Sequence, residues 1–208
     1  MATILRDWSY RYQWFYDAIA RLAAIAVGGE QRLRQLALQG LEMQRNAEVL
    51  DLCCGAGQVT KVLVRRFDRV TGLDASPFAL SRARKNVPQA EYVEGFAEKM
   101  PFPNARFDLV QTSMALHEMK PQQLQDILKE AYRVLRPGGK LAIVDLHSPT
   151  NPLFWPGLAV FMGLFETETA WRLLKTDLVE ELATVGFNDI EQTLYAGGSL
   201  QVLRASRP

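Results

Sequence analysis

The segment Val49-Leu50-Asp51-Leu52-Cys53-Cys54-Gly55-Ala56-Gly57 couples a short apolar run to a glycine turn and sets a carboxylate beside it. A glycine turn at a strand end lets backbone N–H groups approach a ligand closely, and the usual guest is a diphosphate. Asp51 would repel a diphosphate there, whereas a ligand carrying an ammonium group and a sulfonium suits it. The pattern favours S-adenosylmethionine over NAD or FAD. A second carboxylate agrees: Arg69-Val70-Thr71-Gly72-Leu73-Asp74 reads as the next strand, and Asp74 at its end, about 20 residues beyond the turn, is placed to hold a ribose diol. Gln58-Val59-Thr60 does not complete the G-x-G-x-x-G dinucleotide fingerprint.

Both acids need a sheet to hold them. Strands are expected near Ala47 to Leu52, Arg69 to Leu73, Ala90 to Val93, Phe107 to Thr112 and Lys140 to Asp145, with helical segments between them. Alternation at this spacing argues for an α/β fold with a mostly parallel, doubly wound sheet. Ahead of it, helices are expected from Tyr12 to Val27, stopped by Gly28-Gly29, and from Glu30 to Leu41. Ser76-Pro77 offers an N-cap followed by proline, and Pro121 opens a helix whose apolar face is Leu124, Ile127, Leu128, Ala131 and Leu135, ending at Pro137-Gly138-Gly139. The tail reads as a helix from Thr176 to Val185, a Gly186 stop, and strands Phe187 to Tyr195 and Ser199 to Ala205, which so short a joint should fold into an antiparallel hairpin.

Ligands of open α/β sheets bind beyond the carboxyl ends of the strands. Both histidines of the chain fall there: His117 follows the Phe107 to Thr112 strand by a short loop, and His147 comes two residues after Asp145. Either could act as a base, and either could be a satisfied hydrogen-bond partner in a loop. Methyl transfer from a sulfonium needs alignment more than proton transfer, so a base matters when the acceptor must be deprotonated, as a phenol or hydroquinone must. The apolar stretch from Pro152 to Phe165, containing Phe154, Trp155 and Phe161, lies beyond the same edge and suits a hydrophobic acceptor, with Trp171 and Arg172 closing the same cap. Its length, its Pro156 and its end at Glu166 favour a buried or interfacial helix over a transmembrane one, and lining of a pocket over contact with a membrane surface.

Composition bounds the alternatives. With 208 residues, 48% hydrophobic and 23% charged, and no long Pro/Gly/Ser linker, one domain is expected. A net charge of +1 from 24 basic and 23 acidic residues lacks the cationic excess of a phosphate-neutralising protein, which argues against nucleic acid as a partner. The two cysteines, Cys53 and Cys54, are adjacent and form neither a disulfide framework nor a zinc site, so no metal is expected and a reducing cytoplasm fits. Met1 to Trp8 lacks the apolar core of a signal peptide.

The motifs Val49 to Gly57, Gly72 to Ser76, Val93 to Phe102, Phe107 to Val110 and Val134 to Leu141 together resemble the class I S-adenosylmethionine-dependent methyltransferases, especially the branch containing the ubiquinone and menaquinone C-methyltransferases. The resemblance spans most of the chain. It implies a Rossmann-like, seven-stranded sheet with its last strand antiparallel, and S-adenosyl-L-methionine as donor with S-adenosyl-L-homocysteine as product. It further implies donor contacts from Asp51, Cys53, Gly55, Gly57, Asp74, Ala75, Phe96, Ala97, Thr112 and Tyr16. Two positions depart from the pattern: Cys53 stands where glycine is usual, and Phe96 where many relatives carry an aspartate that contacts the adenine amino group.

In similar enzymes a helical N-terminus covers the pocket, here the aromatic cluster Trp8, Tyr10, Tyr12, Trp14, Phe15 and Tyr16, with the pair Tyr16-Asp17. The expected division is a helical lid (1–46), a cofactor core (47–146), an acceptor cap (147–175) and a C-terminal helix with hairpin (176–208). Acceptor contacts are expected from Tyr10, Tyr16, His117, Phe154, Trp155, Phe161 and Trp171. The leading expectation is methylation of a small, apolar acceptor, best a quinol or phenolic ring. The alternatives are an amine, carboxylate or lipid acceptor, and donor binding without transfer by a regulatory subunit.

Overall fold

The structure, a computed structural model, describes residues 27–165 and 168–208. The expected helix from Tyr12 and the aromatic cluster lie outside these residues, except Val27, which is buried. The chain alternates through α1 (Glu30–Gln35), β1 (Glu48–Leu52), α2 (Thr60–Leu63), β2 (Arg69–Asp74), α3 (Pro77–Asn86), β3 (Glu91–Glu94), β4 (Phe107–Ser113), α4 (Pro121–Val134) and β5 (Leu135–Leu146). It closes with α5 (Trp155–Phe165), α6 (Glu168–Leu173), α7 (Leu178–Val185), β6 (Asn188–Tyr195) and β7 (Leu200–Ser206). The seven strands form one sheet in the order β3-β2-β1-β4-β5-β7-β6, with β7 antiparallel to both its neighbours and the other described pairings parallel.

Sidedness follows from the pleat. Leu52, Leu73, Ile143 and Leu203 share a cluster with Ile127 and Leu128 of α4 and Leu178 and Leu182 of α7. Val49, Leu109, Val144 and Val202 face Leu36, Leu38, Leu63 and Phe67. Covered on both faces, β1 is buried at every position after Glu48, as a central parallel strand must be. The edge strand β6 is instead mostly exposed and polar, which discourages further strand pairing.

Three boundaries differ from expectation for identifiable reasons. The Glu30 to Leu41 helix stops at Gln35 and tightens into a 3-10 turn, Leu36–Leu38. There the carbonyls of Leu36 and Ala37 accept from the Arg204 guanidinium and that of Leu38 from Arg66, so they are not spent on a longer α-helix. The α4 helix ends at Val134, because Pro137 disfavours helical backbone at Arg136. Leu135 is its extended C-cap and opens β5, and the pairing with β4 shifts register between Phe107 and Leu109 to absorb the Pro-Gly-Gly segment. The last helix begins at Leu178, since Asp177 caps it by accepting from Val179 N–H and Glu180 N–H. The insertion forms a 3-10 turn (Pro152–Phe154) and then α5, and it is only partly buried: Met162 is fully covered, whereas Leu153 is 81% and Val160 62% exposed. No described helix is long and apolar enough to cross a membrane.

Candidate active site

The glycine turn between β1 and α2 is braced from several sides. Cys54 N–H reaches Leu73 O (3.0 Å), Gly57 N–H reaches Cys54 O (2.9 Å), and the Asn86 amide holds Ala56 O (3.0 Å). Gly55 and Gly57 both take positive φ, 54° and 84°, where glycine carries no steric penalty. Cys53 takes φ 58° as well, so the side chain at this usual glycine position is accommodated in left-handed backbone and packs on the core. Burial pushes the Cys53 thiol up to about 12 and that of Cys54 higher, which leaves both as packing groups rather than nucleophiles.

The two acids sit at adjacent strand ends but in different surroundings. Asp74 accepts from Gly55 N–H (2.8 Å) on one oxygen and Ser76 N–H (2.9 Å) on the other. A carboxylate has about four lone-pair directions, so these two bonds orient Asp74 and leave capacity for a diol. Asp51 is buried and accepts from the Thr60 hydroxyl at 2.6 Å. Burial lifts its carboxyl from 3.8 to about 7, against the pull of Thr60 and with help from the Asp74 charge. An ammonium group brought beside Asp51 would relieve that cost and restore the carboxylate.

S-adenosylmethionine fits these residues. Asp51 wants a cation, Asp74 can take two hydroxyls, and a Cβ built on Gly55 meets no protein atom nearer than Gln58 Oε1 at 3.9 Å, so the space over the turn is open. Thr112, at the carboxyl end of β4 beside Leu52, is buried with its hydroxyl oxygen unpartnered, as is the Gln111 amide oxygen next to it. A buried hydroxyl of this kind suits a hydrogen bond from a polar group of the donor. Ala75 is exposed beyond β2, Phe96 is exposed beyond β3, and Ala97 is buried.

On the other side of the edge, His117 lies in a 3-10 turn, Leu116–Glu118, following β4. Its Nδ1 is 2.7 Å from Asp145 Oδ1, and both residues are buried. Asp145 also accepts Leu146 N–H (2.8 Å), Ala115 N–H (3.1 Å) and Leu116 N–H (2.7 Å). With three backbone N–H groups also directed at it, the Asp145 carboxyl is placed to accept from a protonated Nδ1 of His117 and so to orient the ring. Helix α6 packs over this turn, and Trp171 joins Leu146, Met162, Ala170 and Leu174 in a small apolar cluster beside it.

The remaining sites separate. His147 turns toward the β6–β7 joint, its Nδ1 2.8 Å from Gly198 O and its N–H on Ser199 O. Phe154 packs over Gly197 of that joint, where a Cβ would collide with the ring. Trp155 is partly exposed, Arg172 is paired with Glu168, and the side chain of Phe161 and all of Tyr10 and Tyr16 lie outside what is described. Thr60, Gln111 and Asp145 received no role from the sequence. The only advance signals were a hydroxyl at a helix start and an acid at a strand end.

A parallel sheet that closes with an antiparallel strand, with a glycine turn and two acids on its carboxyl edge, defines a class I S-adenosylmethionine-dependent methyltransferase fold. Residues 49–139 match the family model described as a methyltransferase domain. An uncharacterized methyltransferase of Synechocystis sp. is 58% identical over 99% of this chain and 97% of its own length. A demethylmenaquinone methyltransferase of Listeria welshimeri is 35% identical over 80% of each chain. A solved S-adenosylmethionine-dependent methyltransferase from Mesorhizobium loti shares the fold at 19% identity and TM-score 0.63, over 84% of this chain and 98% of that one. The chain belongs to the class I S-adenosylmethionine-dependent methyltransferases, and it is an enzyme that uses that donor.

Proposed function

We propose that the methyl acceptor is a quinol or similar phenolic ring with an apolar body, deprotonated by His117. The carrying observation is the buried His117–Asp145 pair at the end of β4 and β5. A weakly basic aromatic amine already carries its lone pair at neutral pH, and an oriented imidazole adds little to it. A phenolic hydroxyl gains much more, because removing its proton enriches both oxygen and ring carbon. Asp145 fixes the tautomer and offsets the charge that appears on the ring when Nε2 takes the proton.

Bound S-adenosylmethionine supplies an electrophilic methyl group on a cationic sulfur that leaves as a neutral thioether. The chain's part is to hold and orient: Asp51 for the ammonium, Asp74 for the diol, the glycine turn for close approach, and His117 for the acceptor proton. The exposed apolar surface of Leu153, Trp155 and Val160, above the same edge, supports an acceptor with an apolar tail and contact with a lipid surface that would deliver it. The demethylmenaquinone in the name of the Listeria relative points the same way.

The test is a screen with methyl-labelled donor against reduced naphthoquinols, simple phenols, amines and carboxylates, with mass analysis of products. Label on a quinol or phenol, lost in His117→Ala, is the expected result. Label on an amine or carboxylate alone would overturn the proposal.

A further inference from the structure

The insertion that follows β5 is fastened at its start to the joint between β6 and β7, Ala196–Gly198. His147 N–H extends the β5–β7 ladder onto Ser199 O at 3.0 Å, and its ring turns the same way, Nδ1 lying 2.8 Å from Gly198 O. A carbonyl only accepts, so Nδ1 carries the proton. Three residues on, Thr150 N–H, Asn151 N–H and the Thr150 hydroxyl all reach Gly197 O, at 3.0, 3.0 and 3.3 Å. Phe154 then lays its ring on Gly197. A Cβ there would stand 2.6 Å from Phe154 Cγ, and one on Gly198 would stand 2.5 Å from Thr150 N, so neither position has room for a side chain. The joint adopts unusual backbone to offer these faces: Ala196, Gly197 and Gly198 take φ of 50°, 63° and 89° in succession. Left-handed backbone at a residue other than glycine is uncommon and persists only where its surroundings hold it.

We infer that the β6–β7 joint is the anchor of the insertion, and that Gly197 and Gly198, by admitting Phe154 and Thr150, set where its apolar surface stands relative to His117. The other end of the insertion is held separately: α6 packs over the His117 turn, and Met162 and Ala170 are buried with Leu146. Between the two fastenings, Leu153, Trp155 and Val160 face solvent. An apolar strap loose at one end would have to be ordered each time an acceptor bound, and that ordering would weaken binding. Fastening it in advance removes the penalty. His147 and Phe154, which the sequence places at the acceptor, act instead through the joint, as positioning residues. The consequence for the acceptor rests on the quinol or phenol reading above, whereas the anchor itself does not.

Two measurements on the full chain test this: hydrogen exchange of the α5 amides, and the kinetics of methyl transfer to a reduced naphthoquinol. Gly197→Ala drives a Cβ into the Phe154 ring, and Phe154→Ala removes the ring while the joint keeps its glycine. Each should speed exchange over Trp155–Phe165 by about tenfold or more and leave the amides of β4 and β5 as in wild type. Each should also raise KM for the naphthoquinol about fivefold or more, with kcat and S-adenosylhomocysteine affinity within about twofold of wild type. The two changes break one contact, so the double variant should be no worse than the poorer single one. Unchanged α5 exchange in both single variants would overturn the anchor, and so would fully additive effects or a matching loss of donor affinity. Faster exchange with KM unchanged would overturn the positioning role. If wild type transferred no methyl to the naphthoquinol, the acceptor reading would fall, and exchange alone would still decide the anchor. Phe154 is 36% exposed, so Phe154→Ala carries the test if Gly197→Ala does not fold.

Discussion

The two ends of the ligand edge are built on opposite plans. On the donor side, backbone N–H groups, two carboxylates and a threonine hydroxyl are fixed at 2.6 to 3.1 Å around a turn backed by the two large cores. On the acceptor side, a wholly apolar helix rests on a small cluster around Leu146 and Met162, with Leu153 and Val160 in solvent and one buried polar pair, His117 and Asp145, beneath. The difference is chemical. A donor of fixed structure rewards preset hydrogen bonds, whereas an apolar acceptor is held by surface that needs no directional partner and can exchange one occupant for another.

Substitutions on the two sides should then differ in kind. The largest donor-side effect is expected from Gly55→Val: the new side chain enters open space over the turn and takes positive φ, and calorimetry should find donor affinity reduced about a hundredfold or more with the sheet intact by circular dichroism. Asp51→Asn should uncouple stability from function. Burial raises this carboxyl from 3.8 to about 7, so the folded chain keeps a proton that the unfolded chain releases. The stability this gives is present below pH ~4 and lost as pH rises through about 7. Without donor, denaturant unfolding at about pH 8 should show Asp51→Asn more stable by on the order of 4 kcal/mol, the gap closing near pH 4. Donor affinity should nonetheless fall. A variant no more stable than wild type at the higher pH would contradict the buried-acid reading.

Asp74→Ala should weaken donor binding by roughly 1–3 kcal/mol, since its partners on the turn are left unpaired as well as the diol. Unchanged affinity in a folded variant would remove Asp74 from the ribose. The smallest effect belongs to the acceptor side: Trp155→Ala should raise KM severalfold for an acceptor with a long apolar tail and leave donor affinity untouched. A loss of donor affinity there would erase the distinction between the two sides.

The same contrast explains what the sequence made legible. Strand, turn, helix and strand impose local demands: an apolar run, glycine where φ is positive at Gly55 and Gly57, an acid at each strand end, serine before proline at α3. Those demands are written in consecutive residues, and the seven-stranded sheet with its antiparallel last strand came with the family resemblance, whereas the strand order is a finding of the structure. Pairings across the sheet are not local. His117 meets Asp145 across 28 positions and Asp51 meets Thr60 across 9, and no periodicity marks either. His147 satisfied the same local rule as His117, yet its ring is engaged by the hairpin joint. The apolar run of α5 was legible as apolar, but its exposure was not, because a hydrophobic segment reads the same whether it faces a core or waits for an occupant.

The most direct test follows the rate of methyl transfer to a reduced naphthoquinol against pH in wild type and in His117→Ala, with donor affinity measured in parallel. Wild type should rise to a plateau, because the base is supplied by the enzyme. His117→Ala should be slower by about a hundredfold at neutral pH, within the range of a lost general base. It should keep rising into the alkaline range as solution hydroxide takes over the proton, and bind donor within about twofold of wild type. Parallel pH profiles, or an equal loss in rate and donor affinity, would make His117 and Asp145 a structural pair and leave methyl transfer without a base.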